Sequence, residues 1–203
     1  MKNVILVLCF SFVSFIMTAQ DGPRLREIGL AFSSLNNFGL TYKTGKNNSL
    51  WRFNALFTNG THSKDESGKL VDETSAFNAS ISAGKEYRSV LYDKLQLRYG
   101  ADISFSYNHI ISNSYNDKLE YNGLSISTNT YKPGINVVLG LNYTISDNLI
   151  FGVELLPGFA YSTGSTVRKD YNNYNVLERK TDKSGYSYGL NTSSALLTLA
   201  FRL

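Results

Sequence analysis

Two histidines, His62 and His109, are the side chains of this 203-residue chain best placed to move protons near neutral pH. His109 stands near Ser106 and Ser112, and a serine beside a histidine is the core of an acyl-transfer site. Serine is abundant throughout the chain, however, and no third group at a fixed spacing orients either histidine. No His-x-x-x-His or His/Asp cluster offers ligands to a metal. No glycine-rich loop follows a strand and opens a helix to hold a phosphate-bearing cofactor. The sequence therefore predicts no catalytic residue, no cofactor and no metal site.

A second set of chemically capable residues is spread along the whole chain. Glu27, Lys43, Arg52, Glu86, Arg98, Asp102, Lys132 and Glu154 each fall within a stretch in which apolar residues alternate. In a strand, alternate residues share a face. These charges therefore fall on the face opposite the oily one. The same face carries Gly39, Gly84, Gly100, Gly134, Gly140, Gly152 and Gly158, with Asn54, Asn78, Ser80, Ser82, Ser104, Asn136 and Asn142. The signs are mixed, and Arg52 with Glu86 and Glu86 with Arg98 are expected to pair across neighbouring strands. Charges held inside a low-dielectric body must be paired.

The elements that carry them are strands. Fourteen tyrosines, twelve phenylalanines and sixteen glycines against three prolines make a strand-and-turn composition. Period-two alternation appears eight times: Glu27–Ser33, Phe38–Lys43, Leu50–Thr58, Ser75–Tyr87, Leu95–Tyr107, Thr130–Ile145, Leu149–Tyr161 and Tyr186–Leu203. Pro133, lacking a ladder donor, is expected at a bulge or rim. Lys85 interrupts an oily face near a strand end, where a lysine can snorkel to a headgroup. The last strand changes parity, because Tyr186, Tyr188 and Leu190 are even whereas Leu197 to Leu203 are odd. A bulge over Asn191–Ser194 would reconcile them. Links after the second, fourth and sixth strands are short. Asn59–Thr74, Asn108–Asn129 and Ser162–Ser184 are long and polar, and read as loops.

Met1–Gln20 has the form of a cleaved secretory signal, with Lys2, an apolar run from Val4 to Met17, and Thr18-Ala19-Gln20 at its end. That run is short for a spanning helix, which takes about 20 apolar residues. The single cysteine, Cys9, lies inside it, so the mature chain can form no disulfide and offer no thiolate to a metal. Leu6-Val7-Leu8 before Cys9 does not suit lipidation. The remainder, 21–203, is expected to form one domain. The charge of +4 is scattered rather than gathered in a one-sign stripe, which excludes a nucleic-acid footprint.

Short turns at one rim, long loops at the other and an oily face on every strand describe a transmembrane barrel, which alone satisfies its backbone in hydrocarbon. On this topology, and on the closing stretch Ala195–Leu203, the chain resembles the small eight-stranded outer-membrane β-barrels of Gram-negative bacteria, of the OmpX and OmpA membrane-domain type. The resemblance implies an all-β, eight-stranded antiparallel up-and-down transmembrane β-barrel in the outer membrane. It also implies a monomer in contact with outer-membrane lipid and lipopolysaccharide, and recognition of Ala195–Leu203 by the barrel assembly machinery. That class commonly ends in phenylalanine, whereas here Leu203 is last and Phe201 lies two before it.

Two aromatic girdles are expected. Tyr107, Tyr131, Phe159, Tyr161 and Tyr188 would lie near the long loops, and Tyr42, Trp51, Tyr87, Tyr143, Phe151 and Phe201 near the short turns. Some barrels of this size deacylate lipid A, with a serine two residues after the histidine. Ile111 occupies that place here, so the expectation is a non-enzymatic barrel acting through its outer loops. The alternatives are a narrow channel past Asp102 and Glu154, a lipid A-modifying enzyme, or a soluble lipocalin-like lipid carrier with the oily face inward.

Overall fold

The computed structural model describes residues 24–34, 37–46, 48–55, 59–116, 119–172, 175–190 and 194–203. The expected signal sequence, Met1–Gln20, lies outside them, as do Leu56, Phe57 and Thr58 of the third expected strand. The described chain is built from eleven strands: β1 (Leu25–Ser34), β2 (Asn37–Lys46), β3 (Ser49–Ala55), β4 (Asn59–Ser67), β5 (Leu70–Tyr92), β6 (Leu95–Asn116), β7 (Leu119–Thr144), β8 (Leu149–Leu155), β9 (Gly158–Asn172), β10 (Asn175–Gly189) and β11 (Ala195–Arg202). Their antiparallel pairings close a ring in the order β1, β2, β3, β5, β6, β7, β8, β11 and back to β1. The result is an eight-stave barrel with no open edge in its wall.

Three staves are each made of two strands. β4 takes over from β3 against β5, and β9 takes over from β8 against β7. The β7 register runs unshifted from Leu139–Leu155 to Asn136–Gly158, so Pro157 interrupts the stave without displacing it. β10 and β11 form the eighth stave. Between Gly189 and Ala195, six steps of chain oppose three on the neighbouring stave, Gly158 to Leu155. An irregularity does reconcile the two parities there. Asn191–Ser193, within the expected bulge, lie outside the described residues. Pro133 makes no bulge: it stays in register with Phe105, and the β7–β9 register carries unshifted from Tyr131 to Gly134.

The oily face points outward. Ile103, Ile135 and Ile81 are 68%, 58% and 56% exposed, and Phe105, Leu139 and Phe151 lie on the same outer surface. A soluble barrel with its apolar set inside would bury these residues, so the lipocalin-like arrangement is excluded. Tyr42, Trp51, Tyr87, Tyr143, Phe151 and Phe201 ring the short-turn end, all exposed. Tyr131, Phe159, Tyr161 and Tyr188 ring the other. Lys85 does not reach away from the wall; its ammonium sits 4.7 Å over the Trp51 ring, a contact that shields the charge on the outer face.

The three long polar segments are not loops. β5, β6 and β7 are 23, 22 and 26 residues long, whereas crossing a bilayer takes about 9–11. The surplus, with β4, β9 and β10, forms a crown of paired hairpins standing beyond the membrane, in the order β4, β5, β6, β7, β9, β10. Water wets both faces of these hairpins, so their sequence has no apolar alternation to betray the strands. The ladder itself holds them, with cross-strand bonds such as Thr74–Ser112 at 3.2 Å and Thr128–Thr166 at 3.1 Å. The β1–β2 hairpin is short, so the crown has a gap above it.

Candidate functional site

Inside the short-turn half of the barrel lies a cluster of eight buried charges. Four are acids, Glu27, Glu86, Asp102 and Glu154, and four are bases, Lys43, Arg52, Arg88 and Arg98. They come from β1, β2, β3, β5, β6 and β8, all at inward positions of the alternation. β7 contributes Asn142 and the apolar Val138 to the same interior, and Leu50, Ile150 and Leu196 fill it from neighbouring staves. An eight-stave interior is just wide enough to be packed by side chains, and this one is.

The ion pairs form one connected network. Arg52 donates from both terminal nitrogens to the two oxygens of Glu154, each at 3.0 Å. Arg98 donates to the same carboxylate at 2.6 Å. Lys43 donates to Glu86 at 2.8 Å, and Arg88 reaches Glu86 through its Nε at 2.8 Å. Arg88 also grips Glu27 with two bonds of 2.8 and 2.6 Å, and Arg202 approaches Glu27 at 3.3 Å. Asp102 lies 3.2 Å from Arg52 Nε.

Arg52 and Glu154 decide what the lumen can do. Arg52 stands on the third stave and Glu154 on the seventh of eight, so the pair spans the barrel's diameter. Both side chains are essentially inaccessible to water. Planar bidentate pairing fixes the guanidinium geometrically as well as electrostatically. Four positive and four negative groups balance, so the low-dielectric interior carries no uncompensated charge.

Small residues leave room for this network. A Cβ on Gly84 would collide with Asp102 Oδ1 and the Ala101 carbonyl, and one on Gly152 with Thr198 Oγ1 and Asn142. The expected pairs Arg52–Glu86 and Arg98–Glu86 are present but long, at 3.5 and 3.9 Å. The shorter partner of both arginines is Glu154, across the lumen, which adjacency along the sheet cannot reveal. Sequence reasoning also misses Arg88. It continues the inward alternation of Glu86, one step past the point where the fourth expected strand ends. Asp102 and Glu154, the residues considered for a solute path, both face Arg52 within the plug, Glu154 through two hydrogen bonds and Asp102 through a charge contact alone.

Above the plug, toward the crown, the lumen opens into a cavity of about 480 Å³. Its walls include the amides and hydroxyls of Asn54, Asn78, Ser82, Ser104 and Asn136, beside the apolar Leu156, Ala160 and Leu196. Asn54 donates to Ser82 at 3.0 Å, and Asn108 to Asn78 at 2.6 Å. Lys132 belongs to this cavity rather than to the plug and is exposed there.

The histidine–serine candidates are separated by the wall. His109 faces outward, where its Nδ1 lies 2.8 Å from Asn129 Oδ1 and its ring stacks on Tyr107. Ser106 faces the cavity, and Ser112 bonds Thr74 on the inner face of the crown. His62 is on the outer face too, 2.9 Å from Ser75. That Ser–His contact is exposed, and no carboxylate is bonded to the histidine among the described residues. Among the described residues no group of three His, Cys, Asp or Glu converges on a metal position.

A family model described as "Putative OmpA-OmpF-like porin family" matches residues 66–188. A major outer membrane protein from Thermus thermophilus is similar in structure. It has 13% identity and a TM-score of 0.51, over 90% of this chain and 100% of that one. CarO from Acinetobacter baumannii matches with 9% identity and a TM-score of 0.34, over 88% of this chain and 96% of that one. No curated protein matches the chain.

Proposed function

This chain belongs to the OmpA-OmpF-like porin family of outer-membrane barrels, and from that premise we propose that it is a stoppered member, neither a channel nor an enzyme. Its role is structural and interactive: it anchors a rigid crown of hairpins outside the membrane and presents them to lipopolysaccharide or to other surfaces. Met1–Gln20 directs export and is removed, and 21–203 folds as one monomeric barrel. Ala195–Leu203, which contains β11, is the segment read by the assembly machinery. The short turns and both termini face the periplasm, as an even number of staves requires.

The observation that carries this reading is the Arg52–Glu154 pair spanning the lumen within a balanced, buried cluster. A hydrated ion would have to displace paired charges from one another to pass, and breaking a buried pair costs about 3–5 kcal/mol. Planar-bilayer recording of the purified protein tests it. The reading predicts no discrete conductance steps. Reproducible steps in the wild-type protein would overturn it.

A further inference from the structure

The cavity above the plug has the size of a small-molecule site, since ligand pockets run from about 300 to 1,000 Å³. Its wall mixes serine and asparagine side chains with apolar ones such as Leu156, Ala160 and Leu196 and holds no aromatic ring; the one charged side chain among its lining residues is Lys132. The plug below is balanced, four acids against four bases, so it does not neutralise that ammonium. No carboxylate lies within ion-pairing reach of Lys132 among the described residues.

The crown repeats the same sign on the wall above. Lys183 and Arg179 share the inward parity of Ser187, a cavity-lining residue on β10, and Arg168 shares that of Ala160 on β9. Arg168 and Arg179 stand directly opposite each other across the β9–β10 ladder. Like charges in that position destabilise a sheet, and the one Asp170 carboxylate, 3.0 Å from Arg168, also lies in the field of Arg179. Lys183 is paired with Gly164, which is paired with Thr130, one inward step above Lys132. Cations therefore descend the β7–β9–β10 wall to the cavity. Among the described residues the acids of the inner face are Asp170, beside Arg168, and Asp65 and Asp72, which oppose each other at the β4–β5 edge.

We propose that this cavity is a binding site for an anionic, hydroxylated solute of monosaccharide size, its charge held by Lys132 and its hydroxyls by the serine and asparagine side chains of the wall. The β9–β10 cations raise the local anion concentration at its mouth. The site does not depend on the plug being sealed, so a conducting barrel could still bind, and a sealed one could fail to.

Isothermal titration of the full refolded barrel in nanodiscs tests the proposal, with glucose 6-phosphate and glucuronate as probes and glucose and inorganic phosphate as controls. At least one of the two probes should bind saturably. It should bind at least tenfold more tightly than either control, and Lys132→Gln should weaken it about tenfold or more. Ser80→Phe, which fills the cavity without touching the charge, should also abolish binding while the variant keeps its heat-modifiable gel mobility. Equal affinity in wild type and Lys132→Gln would overturn the proposal. So would phosphate binding as tightly as the sugar phosphate, or saturable binding by neither probe.

Discussion

Replacing Arg52 with methionine removes the one cation that reaches three carboxylates at once. Glu154 loses two hydrogen bonds of 3.0 Å and keeps Arg98 at 2.6 Å. Glu86 loses a weak contact at 3.5 Å, and Asp102 loses the 3.2 Å contact with Arg52 Nε. Four buried acids then face three buried bases. Truncating one partner of a buried pair typically costs about 3–5 kcal/mol, because a charge is left uncompensated. Removing both charges, in Arg52→Met/Glu154→Gln, leaves three acids and three bases. The double variant should therefore be more stable than the sum of the single effects implies, with a coupling of about 2 kcal/mol. Trp51 is the only tryptophan, and it lies on the outer face, away from the network. Its fluorescence during urea unfolding in phospholipid bilayers gives all four stabilities of the cycle. A loss below about 1 kcal/mol in Arg52→Met, or strict additivity in the double variant, would refute the claim that these charges form one unit.

Further consequences can be checked with the same preparation. Ile103→Arg puts a charge on the lipid face and should cost about 2–4 kcal/mol if the site is near mid-bilayer; a neutral outcome would move that residue out of the hydrocarbon. Gly84→Leu would force a side chain against Asp102 and the β6 backbone, so it should lose the heat-modifiable folded band, whereas Gly60→Ala, in open surroundings, should keep it. Replacing 111–127 with a tight turn should leave a folded barrel, since β6 and β7 retain more than enough residues to cross the membrane; failure to fold would make the crown part of the barrel's stability. His62→Ala and His109→Ala, singly or together, should leave the lipid A mass spectrum of expressing cells unchanged, and a shift abolished by either would reinstate an enzyme.

The barrel wall was legible because lipid imposes a strict alternation. Leu95 to Tyr107 and Thr130 to Tyr143 show it residue by residue, and the same parity placed Glu27, Lys43, Arg52, Glu86, Arg98, Asp102 and Glu154 inside. The crown was not legible, because β4 and β10 have water on both faces and nothing forces apolar residues onto either. Strand order gives neighbours, so Arg52–Glu86 could be anticipated. The diametric Arg52–Glu154 pair depends on how the sheet closes, and that information lies in no local stretch. Lys132 shares the plug's parity and differs from it only in height, where the lumen has already opened.

Residues 21–203 contain no cysteine, so single cysteines placed there report access without background. In vesicles with one orientation of the barrel, a charged, membrane-impermeant thiol reagent is added from the crown side to Ser104→Cys, above the plug, and to Asp147→Cys, exposed in a short turn on its far side. A sealed lumen predicts rapid labelling of the first and none of the second until the vesicles are opened. Equal labelling of both in intact vesicles would mean that water and solutes pass the Arg52–Glu154 pair.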